Sequence, residues 1–264
     1  MRSVESVILF SRELPMATET LINPEFARRS SGSSARTELP RIVPIEYPDS
    51  DGQPMAESDF QFEPLSYAVQ SLKVHFQSHS DVYVAGNIFF YYEEGEPTEV
   101  VAPDVLVVIG AENRKRRSYK LWEEPKAPDF VLEITSNSTR GKDQGSKKAL
   151  YQYLGVTEYF CYDPTGDYLD PPLVGYRLEE GRYVSIAPQE ATPTSVVVAS
   201  ATLGLVLRVT GREFRFVDPA TGNELLNLAE TEWQRHEEQR LRLEAEARVR
   251  ELEAQLAALK RGET

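Results

Sequence analysis

A carboxylate stands inside an apolar run near the middle of the chain. The run is Phe130–Ile134, and Glu133 is its one polar residue. Its length and composition predict a buried β-strand. A buried carboxylate is costly unless it is paired or coordinates a metal ion, so Glu133 must meet a cation. Arg140, Lys142 and Lys147 are candidates for an ordinary ion pair. The other interpretation of Glu133 is a functional site.

The flanking sequence predicts further helices and strands. Apolar residues recur at helical spacing from Leu65 to Phe76, and a second helix is expected from about Asp143 to Leu154, ended by Gly155. Residues 173–217 alternate short strands with turns, which is typical of an antiparallel region. Other strands are predicted at 82–92, either continuous or broken at Gly86-Asn87, at 101–109 and at 158–162.

Composition divides the chain into three regions. Residues 1–55 are polar and low in complexity, which predicts a flexible N-terminal extension. Residues 56–222 hold the predicted core, and residues 223–264 form a helical, coiled-coil-like tail. Apolar residues of the tail recur at spacings of 4, 4, 3, 4 and 3, at Leu241, Ala245, Val249, Leu252, Leu256 and Leu259. This pattern predicts packing against a second copy, in a homodimer, or against a partner helix.

The charge and the few metal-binding residue types exclude several classes of protein. The chain holds 29 Lys and Arg against 42 Asp and Glu, a formal net charge of −13. It therefore has no overall attraction for a nucleic acid, and DNA binding would require a local basic surface or a metal ion. The single cysteine excludes a disulfide scaffold and a Cys-rich zinc site, and three histidines leave little material for a His-based metal centre. No apolar run approaches the ~20 residues of a membrane helix, and we expect a cytoplasmic protein.

A second carboxylate opens another apolar run. Asp104 follows Pro103 and precedes Val105–Ile109. If this strand pairs with the strand of Glu133, the two side chains can converge and form an oxygen-rich site for Mg²⁺ or Mn²⁺. Asp104 also has an ordinary interpretation, because aspartate is common in turns at strand starts.

The helix after Glu133 carries three polar side chains on one face. Asp143, Lys147 and Tyr151 are spaced i, i+4 and i+8. A lysine delivered from this helix to two carboxylates and a metal ion would complete a site for phosphodiester hydrolysis. The ordinary interpretations are that Asp143 complements the helix dipole, that Tyr151 is a core residue, and that the lysines are solvated. Lys148 is the weaker candidate for the catalytic cation.

Taken together, these residues resemble a known family. The similarity covers roughly residues 60–215. It rests on Pro103-Asp104-Val105, on the run from Phe130 to Ser136, and on Ser138-Thr139, Asp143, Lys147, Tyr151, Gly155-Val156 and Glu158-Tyr159. In this order and spacing they resemble the Uma-type family of restriction-endonuclease-like proteins, which belongs to the PD-(D/E)xK nuclease superfamily.

The resemblance implies an α/β (α+β) fold, a restriction-endonuclease-like core with a mixed central sheet, and metal-dependent cleavage of DNA. It implies that Asp104 and Glu133 are metal ligands together with the main-chain carbonyl of Ile134. It also implies that Asp104, Glu133 and Lys147 are catalytic. The broader superfamily usually has its lysine two residues after the glutamate, where this chain has Thr135. The Uma-type pattern instead places the lysine on the following helix, in agreement with Lys147.

A basic cluster follows the strand of Asp104. It consists of Arg114, Lys115, Arg116 and Arg117, with Lys120 nearby. In so acidic a chain this cluster is either a patch that contacts DNA phosphates or a solvated loop. The favoured function is a Mg²⁺- or Mn²⁺-dependent endonuclease. The main alternative is a catalytically inactive nuclease-fold protein that acts as an interaction or regulatory module through its tail. A third is a metal-dependent hydrolase with another substrate.

Overall fold

The structure is a computed structural model that describes residues 45–50, 58–136 and 141–262, without the side chain of Lys142. The predicted N-terminal extension, residues 1–55, lies outside the described residues except for 45–50. In that stretch the Tyr47 ring packs against Tyr91 and Trp122, with ring centroids 5.1 Å apart in both pairs. The division into 1–55, 56–222 and 223–264 stays a prediction.

The described residues form helices and strands in the following order along the chain. The first half contains α1 (Asp59–His75), β1 (Val82–Gly86), β2 (Phe90–Tyr91), β3 (Val100–Val101), β4 (Val105–Ile109), β5 (Tyr119–Lys120), β6 (Phe130–Ile134) and a π-helical segment (Lys142–Lys147). The second half contains α2 (Lys148–Leu154), β7 (Glu158–Tyr162), β8 (Leu173–Glu179), β9 (Arg182–Ser185), β10 (Glu190–Ala191), β11 (Ser195–Ser200), β12 (Leu205–Thr210), β13 (Glu213–Val217) and α3 (Leu228–Gly262).

A six-stranded mixed sheet with the order β1-β4-β6-β7-β8-β9 forms the centre of the fold. Strands β6 and β7 are parallel, and the other neighbouring pairs of this sheet are antiparallel. A parallel pair requires a crossover connection, which the π-helical segment and α2 supply. Strands β10–β13 form a second, antiparallel sheet, and β3-β2-β5 a small third one. The predicted α/β fold class with a mixed central sheet is confirmed.

Alternation along β6 divides its side chains between two hydrophobic clusters. The cluster that includes residues of α1, β12 and β13 receives Phe130, Leu132 and Ile134. The cluster that includes Tyr151 of α2 receives Val131. Because successive side chains of a strand point to opposite faces, Glu133 points toward the α2 side of the sheet.

The helix predicted from Asp143 is not a regular α-helix. Residues Lys142–Lys147 form π-helical backbone, and α-helical geometry begins only at Lys148. Glycine disfavours the α-helix, and Gly145 lies within this segment. A π-helical segment bonds i to i+5 and occurs frequently at functional sites. The predicted end is confirmed, because Gly155 terminates α2 in a left-handed conformation with φ of 80°.

The segment predicted as one strand or two over residues 82–92 forms two strands. A Cβ atom on Gly86 would lie 2.9 Å from the carbonyl oxygen of Asp104, so this close approach requires glycine. The next residue, Asn87, has a φ of 49°, and its N–H lies 3.2 Å from the same carbonyl. The break in the strand therefore holds the backbone of Asp104 against the end of β1.

The predicted C-terminal helix is confirmed as α3. Asn227 and Glu230 form a capping box, because the N–H of each donates to the side chain of the other at 2.9 Å. The helix then continues for 35 residues, none of them buried. In the part of the chain that the structure describes, no helix has the length and apolar character needed to cross a membrane.

Candidate active site

Strand pairing places Asp104 beside Glu133. Strands β4 and β6 are antiparallel with Val105 opposite Leu132, so one residue further Asp104 lies opposite Glu133. Opposed residues of an antiparallel pair project to the same face of a sheet. The N–H of Ile134 donates a hydrogen bond to Asp104 Oδ2 at 2.6 Å. The register and this hydrogen bond thus bring Asp104 and Glu133 to the same end and face of the sheet.

Glu133 is buried, and both of its carboxylate oxygens accept a hydrogen bond. Its side chain is 1% exposed. The Tyr151 hydroxyl donates to Oε1 at 2.7 Å, and the Lys147 ammonium donates to Oε2 at 2.8 Å. The ion pair with Lys147 was one of the ordinary interpretations of Glu133, and it is present. The same ammonium also lies within ion-pair distance of Asp143, so two carboxylates share one cation.

The two neighbouring lysines have different surroundings. Lys147 Nζ lies between Glu133 and Asp143, 3.4 Å from Asp143 Oδ1. Lys148 Nζ lies 3.5 Å from the centre of the Tyr176 ring, on which it makes a cation–π contact. The structure therefore brings Lys147 to the carboxylates of Glu133 and Asp143, whereas Lys148 packs on Tyr176.

Asp143 is a third buried carboxylate of this site. It is 1% exposed, and neither of its carboxylate oxygens has a hydrogen-bond partner among the described residues. The Thr135 hydroxyl is also buried and has no such partner within the described part of the chain. An unsatisfied buried polar group is destabilising and calls for an explanation, such as a bound water or ion. Helix-dipole compensation does not account for an acid this deeply buried.

The pKa directions follow from burial and from crowded negative charge. Burial raises the pKa of the Asp104 carboxyl well above its usual range, and the Glu133 charge raises it further. Burial also raises the pKa of Glu133, although the Lys147 ion pair opposes this rise. Burial alone would lower the pKa of the Lys147 ammonium, but Glu133, Asp143 and Asp104 outweigh it and the pKa is raised. Lys147 is therefore protonated at neutral pH.

The donor set fits a divalent cation. When all three are ionised, the buried carboxyl groups carry more negative charge than one ammonium offsets, and a divalent ion would neutralise the excess. No group of three or more His, Cys, Asp or Glu among the described residues is arranged as a complete ligand set. Mg²⁺ does not need one, because it binds through one or two carboxylates and keeps several waters. Asp104 and Glu133 are suited to hold it, and the Ile134 carbonyl as a further ligand stays a prediction.

Comparison with known proteins identifies the family. The family described as "Uma2: Putative restriction endonuclease" matches residues 36–210, more than half of the chain. The chain belongs to this family. A crystal structure of "a putative nuclease belonging to DUF820" from Anabaena variabilis is similar over 57% of this chain and 76% of that chain, with 14% identity and a TM-score of 0.42. No curated protein matches the sequence.

The basic cluster of this Uma2-family chain divides into two groups. The Arg116 side chain is 2% exposed, pairs with Glu124 at 2.7 Å and lies over the Tyr83 ring. The guanidinium of Arg116 therefore makes intramolecular contacts and is not available to DNA, so the expectation that Arg116 contacts DNA is wrong. Lys115 and Arg117 are exposed. Arg114 is half-exposed, although it pairs with Glu124 and Glu112. These three residues can still contact a phosphate.

The sequence alone favours a helix-end acid at Asp143 and a core residue at Tyr151, whereas the structure places both side chains against Glu133 or Lys147. Their spacing with Lys147 was the signal, since all three reach one site. The sequence draws attention to Thr135 only as the residue at the usual lysine position, and its buried hydroxyl becomes apparent only in the folded structure.

Proposed function

We propose that this chain is an endonuclease that hydrolyses phosphodiester bonds of DNA and uses Mg²⁺ or Mn²⁺. The charge imbalance of the buried site carries the proposal. A structural ion pair would be complete with Glu133 and Lys147. Asp104 and Asp143 add two further carboxyl groups that no second cation compensates among the residues described at this site. A buried carboxyl group with a strongly raised pKa, such as Asp104, is typical of functional sites.

Each residue has a distinct role in this proposal. Asp104 and Glu133, with the Ile134 carbonyl, would hold the divalent ion. When bound, the ion polarises the phosphoryl group and lowers the pKa of a water ligand. Tyr151 fixes the Glu133 carboxylate through the hydrogen bond to Oε1. Lys147 is protonated and hence unsuited to act as a general base, so it orients the water and stabilises charge on the phosphoryl oxygens.

A cleft beside the site supports DNA as the substrate. It has a volume of about 740 Å³, and none of its described lining residues is acidic although the chain carries a charge of −13. Its polar lining includes Lys73, Asn87, Asn113, Arg114, Lys115 and Arg117. The N–H of Asn87 reaches the carbonyl of Asp104. The cleft lined by the basic loop therefore extends to a residue whose backbone is hydrogen-bonded to Asp104, so a polyanion bound in the cleft would lie near the candidate site.

The test is nicking of supercoiled plasmid DNA by the full chain with Mn²⁺ or Mg²⁺. We expect cleavage that EDTA abolishes and that Glu133→Gln reduces to background. Glu133→Gln keeps the volume of the side chain and an acceptor for Tyr151 but removes the charge. The matched control is Glu190→Gln at an exposed position of β10, which should cleave like the wild type.

Titration with Mn²⁺ in a calorimeter separates the alternatives. Binding that Glu133→Gln weakens, together with plasmid cleavage, would support the proposal. Binding without cleavage of any DNA would contradict it and favour a hydrolase with another substrate. Absence of both would favour an inactive nuclease-fold module.

A cytoplasmic location stays a prediction, which fractionation of the source cells would check.

A further inference from the structure

The longest helix among the described residues exposes an apolar stripe. None of the 35 residues of α3 is buried. Several of them nevertheless have large apolar side chains, and about half or more of each is exposed to solvent: Leu252 at 43%, Leu256 at 56% and Leu259 at 67%. A solvated single helix has no need for such residues, since alternating ion pairs suffice to keep it helical. The stripe therefore indicates that another surface covers it.

The stripe follows a heptad pattern over the last part of the helix. Ala245, Val249, Leu252, Leu256 and Leu259 occupy alternating d and a positions, with spacings of 4, 3, 4 and 3. The preceding a position is Arg242, which pairs with Glu246 on its own helix. We define residues 245–259 as the seam. The stretch 228–244 then acts as a spacer of about 26 Å between the core and the seam at 1.5 Å per residue.

We propose that the seam forms a parallel two-stranded coiled coil with the seam of a second copy of this chain. The charges beside the seam select this arrangement. In a parallel pair each g residue faces the e residue five positions later on the other helix. Arg248 then faces the partner's Glu253, and symmetry gives this attractive pair twice. The other pairs, Leu241 with the partner's Glu246 and Gln255 with the partner's Lys260, contain no like charges.

An antiparallel pair would place like charges together. With the same apolar residues in contact, e residues face e residues and g residues face g residues. In the register with Val249 opposite the partner's Leu252, Glu246 would face the partner's Glu253 twice, which is repulsive, and Arg248 would face the partner's Gln255, which gains no ion pair. In the register with Leu252 opposite the partner's Leu256, Glu246 would face the partner's Lys260, but Glu253 would face the partner's Glu253 and Ala245 would have no apolar partner. Charge complementarity thus favours the parallel dimer, in which both cores lie at the same end of the coiled coil.

A first experiment tests whether the seam holds two copies together. Sedimentation equilibrium of the full chain should give a dimer mass that dissociates on dilution. Leu256→Asp should weaken the dimer at least about tenfold, because it puts a charge in place of a buried leucine. The matched control is Leu243→Asp, because Leu243 is also 56% exposed but lies off the seam. It should leave the dimer unchanged.

A second experiment tests the orientation. Glu253→Arg should weaken a parallel dimer about five- to tenfold, because it places a second arginine opposite each Arg248, and Arg248→Glu combined with Glu253→Arg should restore it. In an antiparallel dimer Glu253→Arg would instead relieve the repulsion with Glu246 and strengthen binding. A monomeric wild type, an equal effect of Leu256→Asp and Leu243→Asp, or a tighter Glu253→Arg dimer would each overturn the proposal. Helix content measured by circular dichroism should be the same in all variants.

Discussion

The Lys147 ammonium lies 2.8 Å from Glu133 Oε2, although the lysine belongs to the helical segment after β6 and not to the strand itself. Two residues after Glu133 the chain has Thr135, whose hydroxyl is buried and without a hydrogen-bond partner among the described residues. Residues i and i+2 of a strand share a face, so a lysine at 135 would approach the carboxylate from the strand. Here the cation reaches the same carboxylate from the helix.

We predict that Lys147→Ala abolishes cleavage and leaves Mn²⁺ binding largely intact. The substitution removes the cation that stabilises phosphoryl charge, and loss of such a group costs about 100-fold or more in rate. Lys147→Arg should fail as well, because a planar guanidinium does not replace a compact ammonium. Plasmid nicking and calorimetry check both points. Lys148→Ala is the control, because its ammonium lies over the Tyr176 ring. If Lys148→Ala were the inactive variant, our assignment of the catalytic lysine would be wrong.

We predict that Tyr151→Phe weakens Mn²⁺ binding and cleavage by about 10- to 100-fold, as loss of a hydrogen bond to a metal ligand typically does. The phenylalanine keeps the ring that packs on Tyr159 but cannot donate to Glu133 Oε1. Tyr153→Phe is the control, since Tyr153 is 85% exposed on the same helix. A Tyr151→Phe protein with unchanged Mn²⁺ affinity and unchanged melting temperature would show that the Tyr151 hydroxyl does not position the Glu133 carboxylate.

Much of the site could be predicted because its signals are local. Glu133 and Asp104 stand out against the apolar runs around them, and pairing of those runs places them together. Lys147 follows from its position on the next helix. The burial of the Asp143 side chain could not be predicted from the sequence, because it depends on the π-helical backbone and on a contact with another strand. The Tyr159 hydroxyl, which donates to the Asp143 carbonyl at 2.8 Å, comes from the neighbouring strand β7.

Contacts between distant segments also decide which basic residues stay exposed. Four consecutive cations look equivalent in the sequence. The Arg116 side chain is nevertheless buried, because its guanidinium donates hydrogen bonds to Glu124 and lies over the Tyr83 ring. In the same way, the alternation over residues 173–217 predicted short strands. It did not show that β8 and β9 join the central sheet while β11–β13 belong to a second sheet.

We predict that Asp104→Asn stabilises the metal-free protein at neutral pH, by about 1–3 kcal/mol, while it abolishes cleavage. The pKa of Asp104 is raised in the folded state by burial and by Glu133. A raised pKa gives a stabilising contribution that is complete below about pH 4, the usual pKa of an aspartate, and is lost as the pH rises through the raised pKa. Asparagine carries no charge and still accepts the Ile134 N–H.

Thermal unfolding in EDTA at several pH values checks the sign. The stability advantage of Asp104→Asn should grow as the pH increases and shrink in acid. Asp163→Asn is a control of opposite sign. Burial would raise the pKa of Asp163, but hydrogen bonds from Tyr168, Leu169 and Thr165 outweigh it and the pKa is lowered. That substitution should destabilise the protein at neutral pH. An Asp104→Asn variant that is less stable than the wild type at every pH would contradict the prediction that the buried, ionised Asp104 carboxylate destabilises the metal-free protein.

We predict that Lys115→Ala combined with Arg117→Ala weakens DNA binding and lowers its salt dependence. Both side chains are exposed on the basic loop and line the cleft that reaches Asn87, next to the Asp104 carbonyl. Loss of two phosphate contacts should reduce the slope of log K against log salt by about 1.8, or about 0.9 for each contact. Fluorescence anisotropy with a labelled duplex in Ca²⁺, at several salt concentrations, measures this slope.

Two further substitutions separate DNA contact from general charge and from folding. Arg182→Ala removes an exposed cation from β9, outside the cleft, and should leave the slope unchanged. Arg116→Ala should lower the melting temperature, because it leaves the buried Glu124 carboxylate without this partner. If the Lys115→Ala, Arg117→Ala protein kept the wild-type slope, the DNA would have to lie on another face of the molecule. The cleft would then no longer support DNA as the substrate.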